Sequence, residues 1–252
     1  MKIKNEKELF DLFVDDETSF RDVLKTPFIE EDDGRVWASN GIMLIMVNPE
    51  CVSGKYDTCD YKLSVSTRDY NCDKVLLVSD LQDALKRCPH EPETQVVQCP
   101  ECGGTGEISV IYKAKYDGYV YEIECMCPIC DCKGTIGEEE TGNMIPKKDS
   151  LIKFRKGYFN WRHIDTLIKA CEILKVDKIK LVRTGTISMS IIELSKDIHI
   201  CFMPVHPDAL SEKEKGSAIN VKFTKLKPEN KNDRIQTINL NKQNDKTKQT
   251  ER

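Results

Sequence analysis

A chain of 252 residues with 39% apolar and 32% charged side chains has room for one or two domains around a modest core, with polar appendages. No apolar run approaches the roughly 20 residues that cross a bilayer, and the opening MKIKNEKELF lacks the apolar stretch of an export signal. A membrane protein is therefore not expected, and a reducing, cytoplasmic setting is. The net charge of −4 divides into −8 over residues 1–97, −6 over 98–143, +6 over 144–206 and +4 over 207–252.

Along residues 1–97 the pattern predicts a short strand at MKI and an amphipathic helix over Glu6–Val14, with Leu9, Phe10, Phe13 and Val14 on one side. An acidic turn at Asp32-Asp33-Gly34 precedes RVWAS and IMLIMV, two strands joined at Asn40-Gly41. Asn-Gly between apolar runs is a strong hairpin signal, because both turn residues accept a positive φ. KVLLV reads as a buried strand and DLQDALKRC as a helix, with Ser79 and Gln82 spaced as a capping box. PHEPETQ reads as a proline-broken connection.

Six of the twelve cysteines crowd between Cys99 and Cys132. In a reducing compartment, paired Cys-x-x-Cys units read as metal ligands rather than disulfides. CPEC and CPIC supply Cys99, Cys102, Cys127 and Cys130, enough to close one tetrahedral four-thiolate zinc site, one ion per chain. Cys125 and Cys132 lie close enough to compete with the second pair. Such a site has no open position for water or substrate, so it is structural. Between the knuckles, EISVIYKAKYDGYVYEIEC alternates in the manner of a hairpin turning at Asp117-Gly118. Its tyrosines, Tyr112, Tyr116, Tyr119 and Tyr121, are the candidate partner contacts. GEEETGNMIPKKDS reads as an exit linker.

Over 144–206 the order is strand, helix, three strands: LIKF, a helix from Trp161 to about Lys175 capped by Asn160, then KIKLVR, ISMSIIEL and IHICFMPV. Lys147, Lys148, Lys153, Arg155, Lys156 and Arg162, flanked by Phe154, Tyr158, Phe159 and Trp161, are the candidate nucleic-acid contacts. Alternation directs Phe154 inward, and the predicted helix mixes Arg162, Lys169 and Lys175 with Asp165 and Glu172. Residues 207–252 read as a flexible basic tail with one apolar spot, Ile235–Leu240. No phosphate loop, dinucleotide loop, calcium loop or nucleophile–histidine pair is present, so no enzyme is expected.

CPECGGTG resembles the CxxCxGxG repeat of the cysteine-rich zinc domain of DnaJ-type chaperones. CPICDCKG is a second copy in which Cys132 stands at the first glycine. No His-Pro-Asp tripeptide occurs, so the resemblance implies one zinc hairpin and not a J-domain. GRVWASNGIMLIMV and the run from YFNWRHIDTLIKACEILKV to IHICFMPV resemble bacterial-type DNA sliding clamps, and the whole layout is similar to uncharacterised proteins of phages and prophages.

The resulting expectation is an α+β protein: one clamp-like domain of two β-α-β-β-β units, with an inserted zinc-bound β-hairpin at 98–143 and a disordered C-terminal tail. Its expected role is that of a non-enzymatic accessory factor in phage-type DNA metabolism, with non-specific DNA contact, a protein partner, and self-association as a further option. The rival expectation is a protein-binding adaptor that ignores nucleic acid.

Overall fold

The computed structural model describes residues 2–15, 21–59, 74–116, 118–221 and 224–225. In chain order these form helix α1 (Glu6–Asp11) and strands β1 (Phe28–Glu30), β2 (Val36–Ser39), β3 (Met43–Val47), β4 (Thr58–Cys59) and β5 (Lys74–Leu77), followed by helix α2 (Val78–Lys86). Then come β6 (His90–Gln98), β7 (Glu107–Lys113), β8 (Val120–Met126), β9 (Thr135–Pro146), β10 (Leu151–Phe154) and β11 (Gly157–Asn160). Helix α3 (Trp161–Leu174), β12 (Lys178–Arg183), β13 (Ser190–Ser195), β14 (Ile198–Phe202), helix α4 (Glu212–Ser217), β15 (Ile219–Asn220) and β16 (Thr224–Lys225) complete the order. The chain divides into two compact units, Met1–Cys88 with Lys148–Arg252, and Pro89–Lys147.

The first unit is built on a nine-stranded sheet in the order β16-β5-β12-β13-β14-β3-β2-β1-β4. The meanders β1-β2-β3 and β12-β13-β14 enter it in opposite order and join through their last strands, Met43–Val47 lying antiparallel to Ile198–Phe202. Both faces of β2 and β3 are buried, which explains their unbroken apolar runs. Val36, Ala38, Ile45 and Ile200 belong to the main core with the apolar faces of α1, α2 and α3, while Trp37, Leu44, Met46 and Cys201 form a smaller cluster. A three-stranded sheet, β11-β10-β15, adds Phe154 and Phe159, stacked at 4.1 Å and set edge-on to Phe202.

Helix α3 follows its sequence signal. Asn160 accepts a hydrogen bond from the Arg162 amide at 3.0 Å, and Trp161, Ile164, Leu167, Ile168, Cys171 and Leu174 are buried. Lys175 ends the helix in the left-handed conformation, φ 56°.

Several sequence expectations are corrected. Lys2 and Ile3 of MKI form no strand among the described residues: the Ile3 amide donates to the Cys51 carbonyl. The first strand–helix unit therefore lacks its opening strand among the described residues. Ser79 caps nothing, because β5 runs straight into α2 with Leu77 at the cap position. At the β2–β3 turn, Gly41 (φ 83°) takes the left-handed conformation while Asn40 does not. The Asn40 side chain instead accepts from the amides of Ile42 and Met43.

Residues 207–225 are not featureless. They hold α4, whose Ser211 and Glu214 form a reciprocal capping box, and β15, paired with β10. Ile235–Leu240 lies outside the described residues.

Candidate metal centre

The second unit is two antiparallel ribbons. In one, β6 pairs with β9 from His90↔Pro146 to Gln98↔Thr135. PHEPETQ and the supposed exit linker are therefore strands. Pro92 is tolerated because a two-stranded ribbon leaves one side of each strand unpaired, and the ladder slips register beside it. In the other, β7 pairs with β8 from Glu107↔Met126 to Lys113↔Val120. The turn is longer than the predicted Asp117-Gly118 pair. The ladder closes at Ala114 and Tyr119, and the Gly118 amide reaches back to the Ala114 carbonyl at 3.1 Å. Asp117 itself lies outside the described residues.

Where the ribbons begin and end, Cys99, Cys102, Cys127 and Cys130 converge. All four are buried, and their sulfurs lie within 4.8 Å of one another. The Cys99–Cys127 and Cys102–Cys130 Sγ distances are both 3.7 Å. That is far beyond the ~2.05 Å of a disulfide. It is the edge length, about 3.8 Å, of a tetrahedron of thiolates around a zinc ion. The four sulfurs can hold one metal ion.

The centre has internal two-fold regularity with an offset of 28 residues. The Gly106 amide donates to Cys102 Sγ and the Gly134 amide to Cys130 Sγ, each at 3.3 Å. The Cys127 amide donates to the Gly106 carbonyl and the Cys99 amide to the Gly134 carbonyl, at 2.9 and 2.8 Å. A methyl group on Gly134 would stand 2.2 Å from the Gly104 carbonyl oxygen, and one on Gly106 would stand 2.4 Å from that of Cys132. These two glycines thus hold the knuckles back to back, a role that the repeat spacing, once aligned at that offset, makes readable.

The thiols differ in proton affinity. Burial pushes Cys102 up, but the Gly106 and Gly104 amides and the bonds shared with neighbouring thiols outweigh it and hold it at about 6. Cys130 is pushed up to about 12, by burial first and then by its hydrogen bonds to Cys127, Cys102 and Cys99.

Cys125 and Cys132 are exposed and outside this group of four. Cys125 sits opposite Ile108 in the β7–β8 ladder, and Cys132 carries a left-handed backbone, φ 63°. Of the candidate contact tyrosines, Tyr112 and Tyr121 are cross-strand partners, Tyr119 closes the ladder, and Tyr116 is fully exposed in the loop.

The basic candidates are less gathered. Lys153, Arg155 and Lys156 sit on the β10–β11 hairpin and Arg162 opens α3, where it lies over the Trp161 ring. Lys147 falls in the other unit from Lys148. Phe154, Phe159 and Trp161 are buried, and Lys153 Nζ is engaged by the Tyr158 hydroxyl at 3.0 Å. On α3, Lys169 is paired with Asp165 at 2.8 Å, and α1 presents Glu6 and Glu8 in its first turn.

No family model matches the sequence, and no curated protein matches it. Among solved structures, the chain is similar to the DNA polymerase sliding clamp of Pseudomonas aeruginosa, with 14% identity and a TM-score of 0.39 over 82% of this chain and 66% of that one. It is also similar to Caulobacter crescentus pol III beta (11%, TM-score 0.38, 82% and 65%). A third likeness is to DNA polymerase III subunit beta of Borrelia burgdorferi (11%, TM-score 0.40, 82% and 63%). The chain spans just under two thirds of the length of these clamps.

Proposed function

We propose that this is a non-enzymatic zinc-binding protein in which the metal folds a hairpin unit that grips a protein partner. The observation that carries the reading is the disposition of β7 and β8. Val110, Tyr112, Ile123 and Tyr121 are each 42–53% exposed although they share one side of the ribbon. Contiguous exposed apolar surface on an otherwise charged protein marks an interaction site. Cys99, Cys102, Cys127 and Cys130 are the zinc ligands in this reading. A tetrahedral four-sulfur set suits zinc or iron. Zinc is chosen because a closed, redox-inert centre is what a folding staple requires.

The metal is needed because the ribbon is marginal alone. Among the described residues it buries no apolar core of its own, the buried side chains between Gln98 and Thr135 being the four cysteines. DNA contact through Lys147, Lys148, Lys153, Arg155, Lys156 and Arg162, with a place in phage-type DNA metabolism, is the weaker reading. Of its aromatic partners Phe154, Phe159 and Trp161 are buried, and the half-buried Tyr158 is engaged by Lys153, so phosphate neutralisation would act with little base stacking.

Two measurements test the proposal. A native mass spectrum of the reduced full chain is expected to show one zinc per chain; no metal, or iron, overturns the centre. A photo-cross-linker placed at position 112 is expected to give protein adducts that disappear on zinc removal. Adducts to DNA alone, or equal yields from position 111 on the other face, overturn the adaptor.

A further inference from the structure

Strand alternation sorts the β7–β8 ribbon into two unlike faces. One carries the pairs Ile108–Cys125, Val110–Ile123 and Tyr112–Tyr121, with no charge among them. The other mixes Ile111, Val120 and Met126 with Ser109, Glu107, Glu122, Glu124 and Lys113, so each apolar side chain there stands opposite a charged one. Ile108 closes against the cysteine cluster, so the apolar face starts at the metal centre and runs out toward the loop. Among the described residues neither strand has a second neighbour, so both backbone edges of the ribbon are open.

Three properties narrow what can lie there. The first is size. Seven-residue strands give a face about 24 Å long and about 10 Å wide. That is far below the ~800 Å² per partner of a stable interface between folded domains. It does fit one extended segment of about seven residues, which a second copy of this chain would not need. The second is charge. From Pro89 to Lys147 the sequence has eleven Asp and Glu against four Lys and no Arg. Four thiolates on one divalent ion leave two further negative charges beside the base of the ribbon. A nucleic acid or an acidic peptide would meet that field unfavourably, and a cationic segment would be drawn in. The third is pattern. An edge that accepts an added strand reads alternate side chains.

Resting on the adaptor reading above, we infer that the hairpin's occupant is an extended, cationic protein segment with apolar residues at every second position. Its apolar side chains lie with Val110, Tyr112 and Ile123, while its Lys or Arg side chains face the surrounding carboxylates.

The test is fluorescence anisotropy with the full-length, zinc-loaded, reduced protein in about 0.15 M salt, where diffuse attraction is screened beyond about 8 Å. The probes are labelled peptides of about nine residues: alternating Lys and Val, alternating Lys and Ser, and alternating Glu and Val. The Lys/Val peptide is expected to bind. The double variant Tyr112→Ser, Ile123→Ser should weaken it at least about tenfold, and Ile111→Ser should leave it within about twofold. All variants should retain one zinc, which separates a lost contact from a lost fold. Equal binding of Lys/Ser, or indifference to the double variant, overturns the inference by making the attraction diffuse. Equal or tighter binding of Glu/Val overturns the charge assignment while leaving a gripping hairpin. Binding of no peptide overturns the inference, and the adaptor then stands or falls on zinc-dependent cross-linking from position 112.

Discussion

Between Leu151 and Leu174 the chain buries Ile152, Phe154, Phe159, Ile164 and Leu167 almost completely, whereas among the described residues between Gln98 and Thr135 the buried side chains are those of four cysteines. The first region is held by apolar area, which any residue of suitable shape can supply. The second lacks such area, and its four converging sulfurs form a set that can hold a metal ion. Apolar stabilisation is spread over dozens of contacts and degrades gradually; a coordination site fails as a whole. The comparison also explains where surface is left over. A core consumes its apolar side chains, while a ribbon gathered on four cysteines leaves Val110, Tyr112 and Ile123 facing outward.

Metal removal should separate the two regions most widely. Structural zinc contributes about 10–16 kcal/mol in small peptides, so a strong chelator is expected to unfold the Pro89–Lys147 unit outright. Amide hydrogen exchange would then lose protection throughout β7 and β8, while amides of β3 and β14 keep theirs within about twofold. Loss of protection in β3 as well would show that the sheet depends on the metal. Retained protection in β7 and β8 would show that the ribbon folds unaided.

The two regions were also unequally legible in the sequence. Helix α3 could be read because its buried positions recur at helical spacing and Asn160 stands at its start. The four cysteines could be read because ligand spacing is a local property. The β6–β9 ribbon was hidden because neither strand covers a core: most of its residues are exposed, so no apolar alternation marks it, and Pro92 argued against it. The joining of β3 to β14 was hidden for another reason. It pairs residues 43–47 with 198–202, and no local pattern encodes partners that far apart. The burial of Phe154, by contrast, was signalled by alternation, and together with that of Phe159 and Trp161 it weakens the nucleic-acid reading of the residues around them.

A sharper cut than chelation is to disturb the packing of the knuckles without touching a ligand. Gly134 has φ 71°, and an added methyl would lie 2.2 Å from the Gly104 carbonyl oxygen, a backbone atom that cannot rotate away. Gly134→Ala is therefore expected to lower zinc affinity about 10- to 100-fold, the range typical of lost support around a metal site. Competition with a chromophoric chelator measures it. Gly103 has a similar φ of 60° but nothing within 4 Å of an added methyl. Gly103→Ala should thus cost only the left-handed strain, about 1–2 kcal/mol, with affinity changed far less. Equal losses at the two positions would mean that backbone conformation, not the back-to-back packing, sets the site.

The smallest expected effect is the most diagnostic of ligand choice. Aligned at the 28-residue offset, Cys132 stands where Gly104 stands in the first knuckle, and both positions have positive φ, 63° and 99°. A cysteine there carries a strain that glycine would not, about 1–2 kcal/mol, partly offset by the greater freedom glycine has when unfolded. Cys132→Gly is accordingly expected to stabilise the zinc-loaded unit by no more than about 1 kcal/mol and to leave one zinc per chain. Thermal unfolding and native mass measure the two. If the variant loses its zinc, Cys132 is a ligand and one of the four buried sulfurs is not. If it keeps zinc but is destabilised, the exposed thiol makes a contact that outweighs its strained backbone, and the degraded repeat is then a working feature of the second knuckle instead of a tolerated departure.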